Sequence, residues 1–195
     1  MIFLIWLLNL VISIFNAVGC GYAWNYTKLQ GGIAHFMNWM GAIMAACGFT
    51  WCILIPLTFG VKMMGYLTPE QALAVLELGY VIIIPAVIGT GLVITIDSWV
   101  QFYKRPGLIN GGVAAYNTFA QIRNTMNAIE ILPGAVGHLG KVLGGDSKRG
   151  GSGDDGKGKA ALLIVFLVAI ALISGILLTR WIILGMARRS SLPTP

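Results

Sequence analysis

A chain of 195 residues, 57% hydrophobic and only 10% charged, is not an ordinary soluble domain. Such a domain carries roughly 25% charged residues, and a core of this size cannot hide that much apolar surface. Thirteen Lys and Arg against seven Asp and Glu give a net charge of +6, which in so apolar a chain points to anionic lipid head groups rather than to nucleic acid.

Residues 2–24 form a charge-free apolar run, long enough to cross a hydrocarbon core of about 30 Å. A signal peptide would need a basic start, which is missing, and the same lack weakens the faint lipoprotein-like box Ala17-Val18-Gly19-Cys20. Asn9, Ser13, Asn16 and Cys20 follow spacings of 4, 3 and 4. They make one small, polar face that should turn toward protein in lipid, for helix packing or to line a pore. Residues 25–35 read as a short polar connection carrying Lys28, and its Asn25-Tyr26-Thr27 triplet is a chance match to a glycosylation site.

The second run, residues 36–61, closes at Lys62. Gly41, Ala42, Ala45, Ala46 and Gly48 allow close backbone approach, and Pro56 predicts a kink. Thr68-Pro69-Glu70-Gln71 is the clearest helix start, with Thr68 as N-cap, Pro69 as first helical residue and Gln71 completing a capping box. This third span covers residues 70–97, with a kink or close crossing expected at Pro85 and Gly89-Thr90-Gly91. Glu77 lies two turns into it. It is expected either at the head groups or, more sharply, as a proton- or cation-binding carboxylate facing the bundle.

Residues 98–159 differ in kind. Trp99, Phe102, Tyr103, Lys104 and Arg105 make an aromatic and basic anchor. Within 111–132, Phe119, Ile122, Met126 and Ile129 recur at spacings of 3, 4 and 3, with Asn117, Gln121, Asn124 and Asn127 around the other side. This predicts an amphipathic helix on the bilayer surface or against a partner, with Arg123 beside the apolar stripe and Pro133-Gly134 ending it. Gly134, Gly137 and Gly140 suggest a looser second interfacial helix, and residues 144–159 a Gly-rich flexible linker. Residues 151–158 look like a phosphate-binding loop. They end in Gly158 where Ser or Thr should hold magnesium, and no strand precedes them.

The last run, residues 160–186, carries no charge before Arg180. Arg180-Trp181 marks an interface, and Arg188 and Arg189 lead into a short tail. The expected architecture is all-α and polytopic, with about four transmembrane helices plus an amphipathic interfacial helix. Residues 1–97 hold three spans, 98–159 the basic segment, and 160–195 the fourth span.

On four spans, one side carries Lys28, Lys104, Arg105, Arg123, Lys141, Lys148, Arg149, Lys157 and Lys159. The other carries Lys62, Arg180, Arg188 and Arg189. The positive-inside rule then puts 98–159 in the cytoplasm and both termini on the opposite side, in a bacterial inner membrane or a virion membrane.

Three cysteines close no disulfide framework, and Cys47 and Cys52 stand five apart on different helix faces. His35 and His138 are the only histidines, and no metal-ligand spacing or hydrolase motif is present. No catalytic residue, metal or cofactor is therefore expected. In composition alone the chain resembles small accessory membrane subunits of secretion or conjugation machines and membrane proteins of virions. The expected function is a non-enzymatic membrane subunit of a larger assembly, contacting partner subunits or lipid through Phe119, Ile122, Arg123, Met126, Lys104 and Arg105. The rival expectation is an oligomeric pore or small transporter, with Asn9, Ser13, Asn16 and Glu77 as its polar face.

Overall fold

The structure is a computed structural model that describes residues 2–143 and 154–190. It consists there of five helices: α1 (Ile2–Gln30), α2 (Gly32–Met63), α3 (Pro69–Lys104), α4 (Leu108–Leu143) and α5 (Asp154–Ser190). Four of them, α1, α2, α3 and α5, are long and apolar enough to cross a membrane. The N-terminal half of the expected linker and the last five residues of the tail lie outside the described residues. The other half of the linker, from Asp154, is the first turns of α5.

The expected eleven-residue connection after the first span shrinks to Gly31. Gly31 and its neighbour Gly32 take φ of 62° and 54°, a left-handed conformation that side chains resist. Two such residues in series reverse the chain without a loop, so Asn25 and His35 are both helical. The α2–α3 turn is equally local in origin. Gly65 (φ 81°) donates its N–H to Lys62 O and Tyr66 donates to Val61 O, a Schellman end for α2. Gln71 N–H then donates to Thr68 Oγ1 (3.2 Å) and Thr68 N–H to Gln71 Oε1 (2.9 Å), the capping box read from the sequence.

The helices run alternately up and down. Trp6 Nε1 donates to Cys52 O, and Asn38 Nδ2 to Cys20 O, so α2 returns along α1. Trp51 meets Tyr80 edge-on at 6.3 Å as α3 returns along α2. The N-terminal half of α5 (Ile164, Val168, Ala171) closes a core with Leu54, Leu67 and Val75 near the α2–α3 turn. Its C-terminal end reaches the α1–α2 turn, where Asn25 Nδ2 donates to Ala187 O. α2 is the central helix, touching α1, α3 and α5.

Small residues set the spacing. A Cβ on Gly175 would stand 2.7 Å from Thr50 N and 3.0 Å from Ala46 O, so α5 touches α2 backbone to backbone. Gly48 admits the Ser13 hydroxyl in the same way between α1 and α2.

The fourth helix departs from expectation. It is one continuous helix of 36 residues, about 54 Å long, lying antiparallel along α3 for its whole length rather than apart at an interface. Pro133 does not end it. The residue sits on the exposed side, while Ala128, Ala135 and Leu139 on the other side stay buried. Packing on both sides of the proline outweighs its cost of about 3 kcal/mol. Pro56 and Pro85 likewise lie inside unbroken helices.

Because α4 travels the length of the bundle, the start of α1 and the end of α5 fall at opposite ends of it.

Candidate functional site: the polar seam between α3 and α4

The expected amphipathic helix is not evident in α4, whose side toward α3 is built from small residues and an amide. Ala114, Gln121, Ala128 and Ala135 recur every seventh residue on the side facing α3; the three alanines are buried and Gln121 is half-buried. Seven-residue repeats keep one stripe of a helix in register with a neighbour. Small side chains there let the two backbones approach, and the polar groups between them find partners on α3. The stripe Phe119, Ile122, Met126 and Ile129 points outward and is exposed.

Three polar contacts pin the half of the seam near the α3–α4 turn. Gln121 Nε2 donates to Ile88 O at 3.1 Å, Thr95 Oγ1 to Asn117 O at 3.3 Å, and Trp99 Nε1 to Thr118 Oγ1 at 2.9 Å. Gln121 fits because the facing residue is Gly91: a Cβ there would collide with its Oε1. That Oε1, and Tyr80 OH further along α3, are buried without a hydrogen-bond partner among the described residues. Such atoms are costly in an apolar setting.

At the other end of the seam, His138 Nδ1 stands 2.5 Å from Glu77 Oε2. The Glu77 side chain is only 16% exposed and that of His138 29%. A carboxylate so enclosed needs a hydrogen-bonding partner of this kind. The arrangement ties α4 to α3 through one carboxylate–imidazole contact. It has no adjacent nucleophile, and among the described residues no three His, Cys, Asp or Glu converge on a metal site. Sequence reasoning placed His138 in an interfacial segment and missed the pair, because its members are 61 residues apart and nothing local signals it.

The other predicted residues scatter. Ser13 is buried against Gly48, Asn9 is half-buried, and Asn16 faces out of the bundle. The four-residue face of α1 therefore splits, its centre going to α2 and its edge outside. Lys104 and Arg105 are exposed at the α3–α4 turn. Arg123 is exposed within the outward apolar stripe and Glu130 two turns along, and neither has an ion-pair partner among the described residues. The phosphate-loop lookalike falls mostly outside the described residues.

The chain matches no known protein family, no curated protein and no solved structure, so the functional reading rests on this geometry.

Proposed function

We propose that the chain is a non-enzymatic integral membrane subunit of a larger assembly, of the kind found in secretion or conjugation machines or virion membranes, and that α4 is its contact with a neighbouring subunit. The observation that carries this is Arg123, exposed amid Phe119, Ile122 and Met126. Gln121, two residues away, bonds to Ile88, in the middle of the charge-free stretch 80–96 of α3. With α3 in a bilayer, Arg123 shares that depth. A cation at the centre of a membrane helix costs about 2.5–3.5 kcal/mol on insertion scales, and such residues pair with other groups.

Glu130, on the same outward side, adds a charge of opposite sign. Two copies in one membrane share an orientation, so an α4–α4 contact would set Arg123 against Arg123, which is repulsive. The surface better suits a different subunit with an acid opposite Arg123 and a basic or donor group opposite Glu130.

The test is purification from native membranes in a gentle detergent, with partners identified by mass spectrometry. Arg123→Glu and Phe119→Asp should each lower partner recovery while the protein stays monodisperse and helical. Unchanged recovery in both variants overturns the proposal. A homogeneous homo-oligomer without partners would favour the pore reading, and flux through reconstituted vesicles would then decide it.

A further inference from the structure

Two residues of α1 have a chemistry that the bundle itself does not use. Asn16 is the middle residue of a helix whose one charge, Lys28, lies in its last turn. It is exposed, and its amide has no hydrogen-bond partner among the described residues. Asn9, two turns earlier, differs, because its Nδ2 donates to Ile5 O at 3.0 Å. An unpartnered amide at mid-helix depth is costly in lipid, and such side chains bond across helices. Gly19 is the second residue. A Cβ there would meet nothing within 4 Å, whereas one on Gly21 would collide with Met186 and Ile183. A glycine inside a helix costs roughly 0.5–1 kcal/mol relative to alanine, and no contact within the chain offsets that at Gly19.

Both residues belong to one stripe. Ile5, Asn9, Ile12, Asn16, Gly19 and Ala23 recur at spacings of 4, 3, 4, 3 and 4, the pattern that holds one seam of a helix against a partner helix over several turns. Ile5, Ile12, Asn16 and Gly19 are exposed, and Asn9 and Ala23 are half-buried. The side of α1 that the bundle covers is a different one, centred on Ser13, Ala17 and Cys20. Among the described residues α1 touches α2 and α5 and makes no contact with α4.

The chemistry of the stripe points to its occupant. Two copies in one membrane, related by a twofold axis along its normal, bring each residue of a seam opposite itself and at its own depth. Arg123 on α4 repels its own copy, but an amide both donates and accepts, so Asn16 satisfies a second Asn16. Gly19 against Gly19 lets the backbones approach, and Ile12 packs on Ile12. From this we infer that α1 is the interface of a homodimer, with the two Asn16 amides bonded to each other and the helices crossing near Gly19. The inference rests on the apolar helices being in a membrane. It goes beyond the role proposed for α4, which keeps its outward side in such a dimer.

Oxidative cross-linking of the purified protein in lipid vesicles tests it, in a background with Cys20, Cys47 and Cys52 changed to Ala. Ile12→Cys and Gly19→Cys should form a disulfide dimer. Val11→Cys, also exposed but about 100° round the helix from Ile12, should stay monomeric. With the native cysteines in place, Asn16→Leu should raise the dimer's dissociation constant in vesicles about tenfold, and Asn16→Gln should hold it near that of the unaltered protein. Gly19→Leu should weaken the dimer as well, with an unchanged thermal midpoint because its Cβ position is open. Arg123→Glu should leave the dimer intact, so loss of the dimer and loss of an α4 partner are read separately. Absence of cross-linking at both Ile12→Cys and Gly19→Cys in vesicles that hold no other subunit overturns the inference. So does equal cross-linking of Val11→Cys, or an unchanged dissociation constant in Asn16→Leu.

Discussion

His138 and Glu77, 61 residues apart in sequence, join the far end of α4 to the third turn of α3 across 2.5 Å. The pair marks where α4 finishes its return along α3. Removing one partner leaves the other enclosed without its hydrogen-bond partner. Glu77→Gln and His138→Ala should each lower stability by about 1–3 kcal/mol, read as a drop in thermal midpoint in detergent. A double-mutant cycle should give coupling on the order of 1 kcal/mol. Strict additivity would mean that the two side chains do not interact.

The α2–α5 contact should be intolerant at one glycine and tolerant at another. Gly175→Ala puts a methyl against Thr50 N and Ala46 O, backbone atoms that cannot swing away, and should cost about 1–3 kcal/mol. Gly185, on the same helix, has open space at its Cβ position. Gly185→Ala should be neutral or stabilising by up to about 1 kcal/mol through helix propensity. Thermal unfolding of the two variants side by side tests the packing directly.

Arg123→Leu separates fold from assembly. It lengthens the outward apolar stripe and removes an exposed charge, so the isolated protein should keep or slightly raise its thermal midpoint, within about 0.5 kcal/mol. Partner recovery should still fall. A loss of both together would mean that Arg123 supports the fold instead.

Helix direction can be read from labelling. In a variant with Cys20, Cys47 and Cys52 changed to Ala, single cysteines at Tyr66, Gly107 and Ser190 report on three points of the bundle. A membrane-impermeant maleimide should reach Gly107→Cys and Ser190→Cys from one side and Tyr66→Cys from the other. If Ser190→Cys and Tyr66→Cys share a side, α4 does not cross.

What the sequence makes visible is what is local. Thr68 and Gln71 are three residues apart, so their capping box can be read directly, as can four of the helices from uncharged runs of about 19 residues or more. α4 was half legible. Its 3–4–3 stripe identifies a helix face, but a stripe does not say whether the apolar or the polar side is buried. The answer lies on α3, where Gly91 and the Ile88 carbonyl accept Gln121. Pro133-Gly134 read as an end because punctuation is judged without the neighbour that overrides it.

The charge count changes with α4. Among the described residues, the end at the α2–α3 turn holds Lys62, Lys141 and Lys159, and the other end holds Lys28, Lys104, Arg105, Arg180, Arg188 and Arg189, with Arg123 between.

The brevity of the turns bears on how the chain is made. Only Gly31 separates α1 from α2, and only Arg105, Pro106 and Gly107 separate α3 from α4. An emerging α4 carries Gln121 and His138 without the Ile88 and Glu77 groups they meet in the bundle. Three residues from α3, it has those partners at hand as soon as it forms. The two hairpins are thus natural units of folding, and α5, last in the chain, closes the bundle against both.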